Sequence, residues 1–252
     1  MYKVLFSDFE DVLIDHEDAI PLSTMLALDK IRSKKVAFGV LSNKGFQTVL
    51  DYNKDFPFMD YICIYDGAYL YDVNRKKAIV DQKISLTTTK KINKICSSYN
   101  ICFYTLDYCN CTKELLNQEN SRLIGDFKVF SEFHKDSIYK IEIVCPKKEQ
   151  EAILEELNKI KEVSIHTNKN IIVIQKSGSN IISCFDQFCE AKKLKMNQFA
   201  ILGKDERNID LFKSDAFGIA VEDASLKIRR ASDTVTVPST DHPVEAIISE
   251  YF

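Results

Sequence analysis

The sequence predicts an α/β fold: a doubly wound parallel sheet of Rossmann-like kind, interrupted by an inserted mixed α/β unit. Two observations predict it. Short apolar runs at residues 3–7, 36–41 and 61–65 lack the alternation of half-exposed strands, as strands covered on both faces do. Segments of helical period separate them, and a strand–helix–strand–helix–strand order winds a parallel sheet with right-handed crossovers.

The elements follow in chain order. Residues 3–7 form a strand that ends abruptly in acids, Asp8, Glu10 and Asp11. Residues 22–33 read as a helix, with Leu22, Leu26 and Ile31 at helical spacing behind Pro21 and Ser23. A strand at 36–41, a helix containing Phe46, Val49 and Leu50, and a strand at 61–65 complete the first half of the sheet. From about Ile84 the pattern changes to helix 90–98, strand 101–105, a polar Cys/Asn segment, strand 139–144, helix 149–160, and strands at 163–166 and 171–174. That α+β unit has apolar faces of its own, so residues 84–176 are expected to form an inserted cap, and 1–83 with 177–252 a discontinuous core. The first style then resumes: a helix from Asn180 to Cys189, a strand at 199–202, a helix around 210–213 and a strand at 218–221.

Composition narrows the function classes. The chain has 252 residues, 28% of them charged, and a net charge of −3, which offers no footprint for nucleic acid or anionic membrane. No apolar run approaches ~18 residues and the amino terminus enters a strand directly, so a cytoplasmic location is expected. The eight cysteines read as reduced and mostly buried, since Cys63, Cys102 and Cys145 lie in apolar runs. Cys109 and Cys111 alternate on one face of a strand and offer two soft ligands, without a CxxC pair or a nearby histidine to complete a site. His16, which follows the first acidic loop, is expected in an exposed loop, and His134, His166 and His242 have no ligand spacing. Seven glycines form neither a Walker loop nor a dinucleotide fingerprint.

The segment Asp8-Phe9-Glu10-Asp11-Val12 resembles motif one of the haloacid dehalogenase (HAD) phosphotransferases, usually Asp-x-Asp-Gly-Thr. Ser42 after Val40-Leu41, Asp66-Gly67-Ala68 after the third strand, the position of the cap and the segment from Gly218 to Ser225 are similar to the Cof-type branch, over essentially the whole chain. The resemblance implies magnesium-dependent hydrolysis of small phosphomonoesters through an aspartyl-phosphate. On that scheme Asp8 is nucleophile, Glu10 acid/base, Ser42, Asn43 and Lys176 bind phosphate, Asp8 and Asp205 bind magnesium, and Asp66, Gly67 and Asp223 line the substrate cleft.

The sequence also departs from the pattern. Glu10 is one methylene too long, and misplacing a proton-transfer atom by about an ångström can cost ~100-fold in rate. Asp11 and Val12 replace Gly and Thr. An ungapped match places Lys204 at the metal-binding Asp and Arg207-Asn208 at the family's Asn-Asp pair, whereas a one-residue slip offers Asp205 and Asp210 instead. Gly178 falls at the motif-three lysine, with Lys176 two residues earlier. A lysine at position 204 is expected to repel magnesium and to pair with Asp8. Lost or strongly reduced activity is therefore expected, with a small phosphorylated metabolite or related ligand held between core and cap and with no cofactor. The alternative is a working phosphatase using Asp8, Glu10, Ser42, Lys176, Asp205 and magnesium.

Overall fold

The computed structural model describes residues 2–15, 17–54, 56–113 and 121–252, so His16 lies outside the described residues. The chain divides into two compact units. One comprises Met1–Asn43, Val49–Val80 and Ile181–Phe252, the other Lys44–Thr48 and Asp81–Asn180. Residues 44–48 group with the second unit because the Phe46 N–H donates to the Leu106 carbonyl and Gly45 lies against the Asp107 backbone. A Cβ on Gly45 would stand 2.5 Å from the Asp107 carbonyl oxygen.

The first unit opens with β1 (Val4–Asp8), α1 (Leu22–Ser33), β2 (Ala37–Ser42), the latter half of α2 (Phe46–Asp51), β3 (Tyr61–Ile64), β4 (Tyr69–Asp72) and β5 (Lys77–Asp81), whose last residue falls at the boundary. Every residue of β1 is buried, which is why its sequence is a continuous apolar run rather than an alternating one. The turn from β3 to β4 uses Tyr65, Asp66 and Gly67, all at positive φ, and closes with the Ala68 N–H on the Tyr65 carbonyl. β4 and β5 are only four and five residues long, and β4 pairs antiparallel with β3, which accounts for why they carry little periodic signal.

The second unit contains α3 (Leu86–Cys96), β6 (Asn100–Tyr104), β7 (Cys109–Cys111), β8 (Ser121–Leu123), α4 (Phe127–Phe133), β9 (Lys140–Val144), α5 (Lys147–Leu157), β10 (Val163–Asn168) and β11 (Ile171–Lys176). Its six strands run in the order β10-β11-β9-β6-β7-β8. Ile101, Phe103, Ile141, Ile143, Ile172 and Ile174 point to one face, where α3, α4 and α5 cover them with Ile92, Phe130, Ile153 and Leu157. The polar Cys/Asn segment of the sequence is β7, paired antiparallel with β6.

The chain then returns through α6 (Ile181–Lys192), β12 (Phe199–Gly203), α7 (Ile209–Phe212), β13 (Phe217–Val221), α8 (Leu226–Ala231), β14 (Thr234–Thr236) and α9 (Pro243–Tyr251). The sheet of this first unit has the order β14-β13-β12-β1-β2-β3-β4-β5. Phe6 on β1 packs on Phe185 and Phe188 of α6 and Phe199 of β12, with ring centroids 4.9, 6.0 and 6.4 Å away. Gly39 makes room for it, since a Cβ there would lie 2.4 Å from the Phe6 ring. In the parallel register Asp8 stands beside Leu41 and Ser7 beside Leu202. The carboxyl ends of β1, β2 and β12 are therefore level, and they deliver Asp8, Ser42 and Gly203 to the edge where open α/β sheets build sites.

Candidate active site

Asp8 is 4% exposed, and its carboxylate accepts from N–H donors. Its Oδ2 takes the main-chain N–H of Lys204 at 2.7 Å and of Asp205 at 3.1 Å, and the Asn208 amide lies 2.8 Å from both oxygens. Gly203, the last residue of β12, permits this approach: a Cβ there would be 2.1 Å from Asn208 Nδ2 and 3.0 Å from Asp8 Oδ2. Burial pushes the Asp8 carboxyl up to about 6, although the Asn208, Lys204 and Asp205 hydrogen bonds and the nearby Arg207 charge all oppose the rise.

Beyond Asp8 the backbone makes a wide turn over Phe9–Leu13, closed by the Ile14 N–H on the Phe9 carbonyl. Asp11 occupies the left-handed region at φ 60°, where the family's glycine would be free of strain and Asp is tolerated better than most residues. Glu10 turns toward β2. Its Oε1 accepts the Ser42 hydroxyl at 2.6 Å and the Asn43 N–H at 3.2 Å, so Glu10, Ser42 and Asn43 come together. A cavity of about 200 Å³ opens beside this loop, lined by Asp11, Val12, Thr24, Ser239 and their neighbours.

The cations of the site are arranged differently from the sequence expectation. Only the backbone of Lys204 meets Asp8; its ammonium lies 2.7 Å from Asp223 Oδ2 and 3.1 Å from Ser239 Oγ. The physical reason is the turn after Gly203, which aims the Lys204 N–H at Asp8 while Asp223 is held ready by the Ser239 N–H and hydroxyl. Burial raises the Asp223 carboxyl more than any single contact lowers it, but the Lys204 and Ser239 contacts together outweigh it and hold that group well below the usual range. Arg207 bridges Asp205 Oδ2 at 3.0 Å and Asp66 Oδ1 at 3.5 Å. Burial disfavours its charge, but Asp66, Asp205 and Asp8 together raise the guanidinium above its ordinary value.

Asp205 also caps the short turn Glu206–Asn208, its Oδ1 accepting the Arg207 N–H at 2.9 Å. Asp210, the partner in the one-residue slip, is exposed on α7. Lys176 ends β11 in the second unit and is exposed; Gly178 beyond it has φ +78°. Sequence patterns do not reveal the Asn208 amide as the main side-chain partner of Asp8 or Ser239 as the clamp on Asp223. The one available signal is the four-residue spacing from Lys204 to Asn208, which turns both back toward the end of β12.

A family model of haloacid dehalogenase-like hydrolases matches residues 5–248. The chain belongs to the haloacid dehalogenase-like hydrolases. A Haemophilus influenzae protein with a provisional phosphatase name is 23% identical over 268 residues, covering 100% of this chain and 99% of that one. A haloacid dehalogenase-like hydrolase from Bacteroides thetaiotaomicron has the same fold, with TM-score 0.84, 14% identity and 100% of both chains covered. A subclass IIB sugar phosphatase of the superfamily gives TM-score 0.76 at 17% identity, with 99% of this chain and 98% of that one covered. Hydrolases of this Cof-type family generally use magnesium and act on small phosphorylated substrates. No helix among the described residues is long and apolar enough to cross a membrane.

Proposed function

We propose that this chain is a Cof-type hydrolase homologue whose phosphoryl-transfer activity is lost or strongly reduced, and which retains a site for a small phosphorylated metabolite or related anion. The observation that supports it most is the environment of Asp8. Both carboxylate oxygens are engaged by nitrogen donors from Lys204, Asp205 and Asn208. Magnesium requires several oxygen ligands in near-octahedral geometry. The acids around the site are instead matched to the protein's own cations: Asp205 and Asp66 to Arg207, and Asp223 to Lys204. The donor set does not fit magnesium, so no step is assigned to a metal.

What the residues can do is bind and orient. Lys204 and Arg207 supply positive charge beside the strand ends that carry Asp8 and Ser42, a setting suited to an anion. A nucleophile held by N–H donors is stabilised in the ground state, and the same donors must weaken before it can attack phosphorus. Loss of charge neutralisation and of nucleophile freedom act on one transition state, so their costs compound.

A second possibility, a working phosphatase using Asp8, Glu10, Ser42, Lys176 and Asp205, draws support from the Glu10–Ser42–Asn43 cluster beside the strand end that carries Asp8. Hydrolysis of an aryl phosphate separates the two, measured with and without magnesium for the native protein, Asp8→Asn and Lys204→Asp. The expected result is little or no Asp8-dependent turnover in the native protein and a magnesium-dependent gain in Lys204→Asp. Native magnesium-dependent turnover that Asp8→Asn abolishes and Lys204→Asp does not exceed would sink the proposal.

A further inference from the structure

Three thiols converge in the second unit, on the sheet face opposite its helices. Cys102 on β6 stands directly across from Cys111 on β7, and Cys109 lies two residues away on the same face of β7. Cys111 Sγ is 3.0 Å from Cys102 Sγ and 3.4 Å from Cys109 Sγ. All three sulfurs lie within 4.8 Å of one another, and no other trio of His, Cys, Asp or Glu among the described residues does so. They are 1%, 7% and 1% exposed in the order Cys102, Cys109, Cys111.

Apolar packing does not account for this grouping. The second unit's apolar cluster takes Ile101 and Phe103 from β6 and none of the three thiols. Their face is polar instead: the Tyr104 hydroxyl donates to Glu142 Oε2 at 2.6 Å, and Lys140 Nζ lies 2.9 Å from Glu142 Oε1. The thiolate is the form of cysteine that ligates metal.

We propose that Cys102, Cys109 and Cys111 form a three-thiolate site for one thiophilic cation of the zinc type. Zinc–sulfur bonds of 2.3 Å in tetrahedral geometry separate sulfurs by about 3.8 Å; two pairs stand at 3.0 and 3.4 Å and the third within 4.8 Å, so small side-chain rotations suffice. Thiolates select soft or borderline cations over magnesium, and the site is chemically unlike the acid-and-cation cluster at Asp8. Binding displaces the thiol protons to solvent, and Lys140 offsets part of the negative charge that results. The cation would tie β6 to β7, a three-residue strand with little apolar area of its own.

The test uses the full chain, purified under reducing conditions and titrated with cobalt(II) as a spectroscopic stand-in for zinc. The expected result is a thiolate-to-cobalt charge-transfer band that saturates at one equivalent, is bleached by zinc, and is lost in Cys102→Ala, Cys109→Ala and Cys111→Ala. Cys63→Ala, which removes a thiol of the first unit lying 3.9 Å from Cys184, should keep the full band. Mass-spectrometric mapping on the native protein, where folding of variants is not at issue, should show zinc protecting these three thiols from alkylation. Absence of the band, its persistence in all three variants, equal loss in Cys63→Ala, or a Cys102–Cys111 disulfide forming at the same rate with zinc present would each overturn the site.

Discussion

At the level of single residues, Asp8 is where burial and chemistry pull against each other. Its carboxyl, raised from 3.8 to about 6, binds more protons in the folded state than in the unfolded chain between those values. Stability is therefore expected to fall as pH rises from about 4 to 6 and then to level off, by about 3 kcal/mol for a shift of this size. Denaturant midpoints measured across that range should show the slope in the native protein and not in Asp8→Asn. Gly203→Ala tests the other side of the same balance. The new methyl would drive the Asn208 amide off a buried carboxylate, costing about 2 kcal/mol at neutral pH, as lost hydrogen bonds to charged groups do. Because Asn208 lowers the Asp8 carboxyl, its displacement should also move the pH window upward; a midpoint change without that movement would mean Gly203 matters only for packing. The sequence places Asp8 at the end of a buried strand, and there it lies. It does not say where the Lys204 ammonium goes, because that depends on the direction of the backbone at the turn after Gly203 and on Ser239, thirty-five residues later, holding Asp223.

Elements differ in how plainly the sequence announces them, for physical reasons. The helix at Leu22–Ser33 and the strands around Val4, Phe38 and Phe199 are legible because burial on both faces, or along one stripe, leaves a strong pattern. β7 is three residues of Cys and Asn, and it is a strand only because β6 supplies its partners, so tertiary pairing overrides local propensity. α9 has its first-turn proline but starts from His242 at φ 53°, without a side-chain cap to mark it. α3 has such a mark: Ser85 accepts the Thr88 N–H, satisfying one of the four donors a helix start leaves open. Ser85→Ala is expected to cost about 1 kcal/mol, read from the thermal or denaturant midpoint. A loss near zero would show that the Ser85 cap contributes nothing to the start of α3.

For the whole molecule, the two units carry separate apolar cores. One is built around Phe6, Phe185, Phe188 and Phe199, the other around Phe103, Ile141, Ile143 and Leu157. A chain whose cores share no residues has no obligation to unfold in one cooperative step. Native-state hydrogen exchange is expected to sort the slowest amides into two sets with different opening free energies, one from β1, β2 and β12 and one from β6, β9 and β11. The two perturbations argued above then act as labels. Ser85→Ala should lower protection in the second set alone, and raising the pH from 4 to 6 should lower it in the first set alone, since Asp8 and its donors all lie there. If both sets shift together under either perturbation, the molecule folds as one unit, and the division of the chain is architectural rather than thermodynamic.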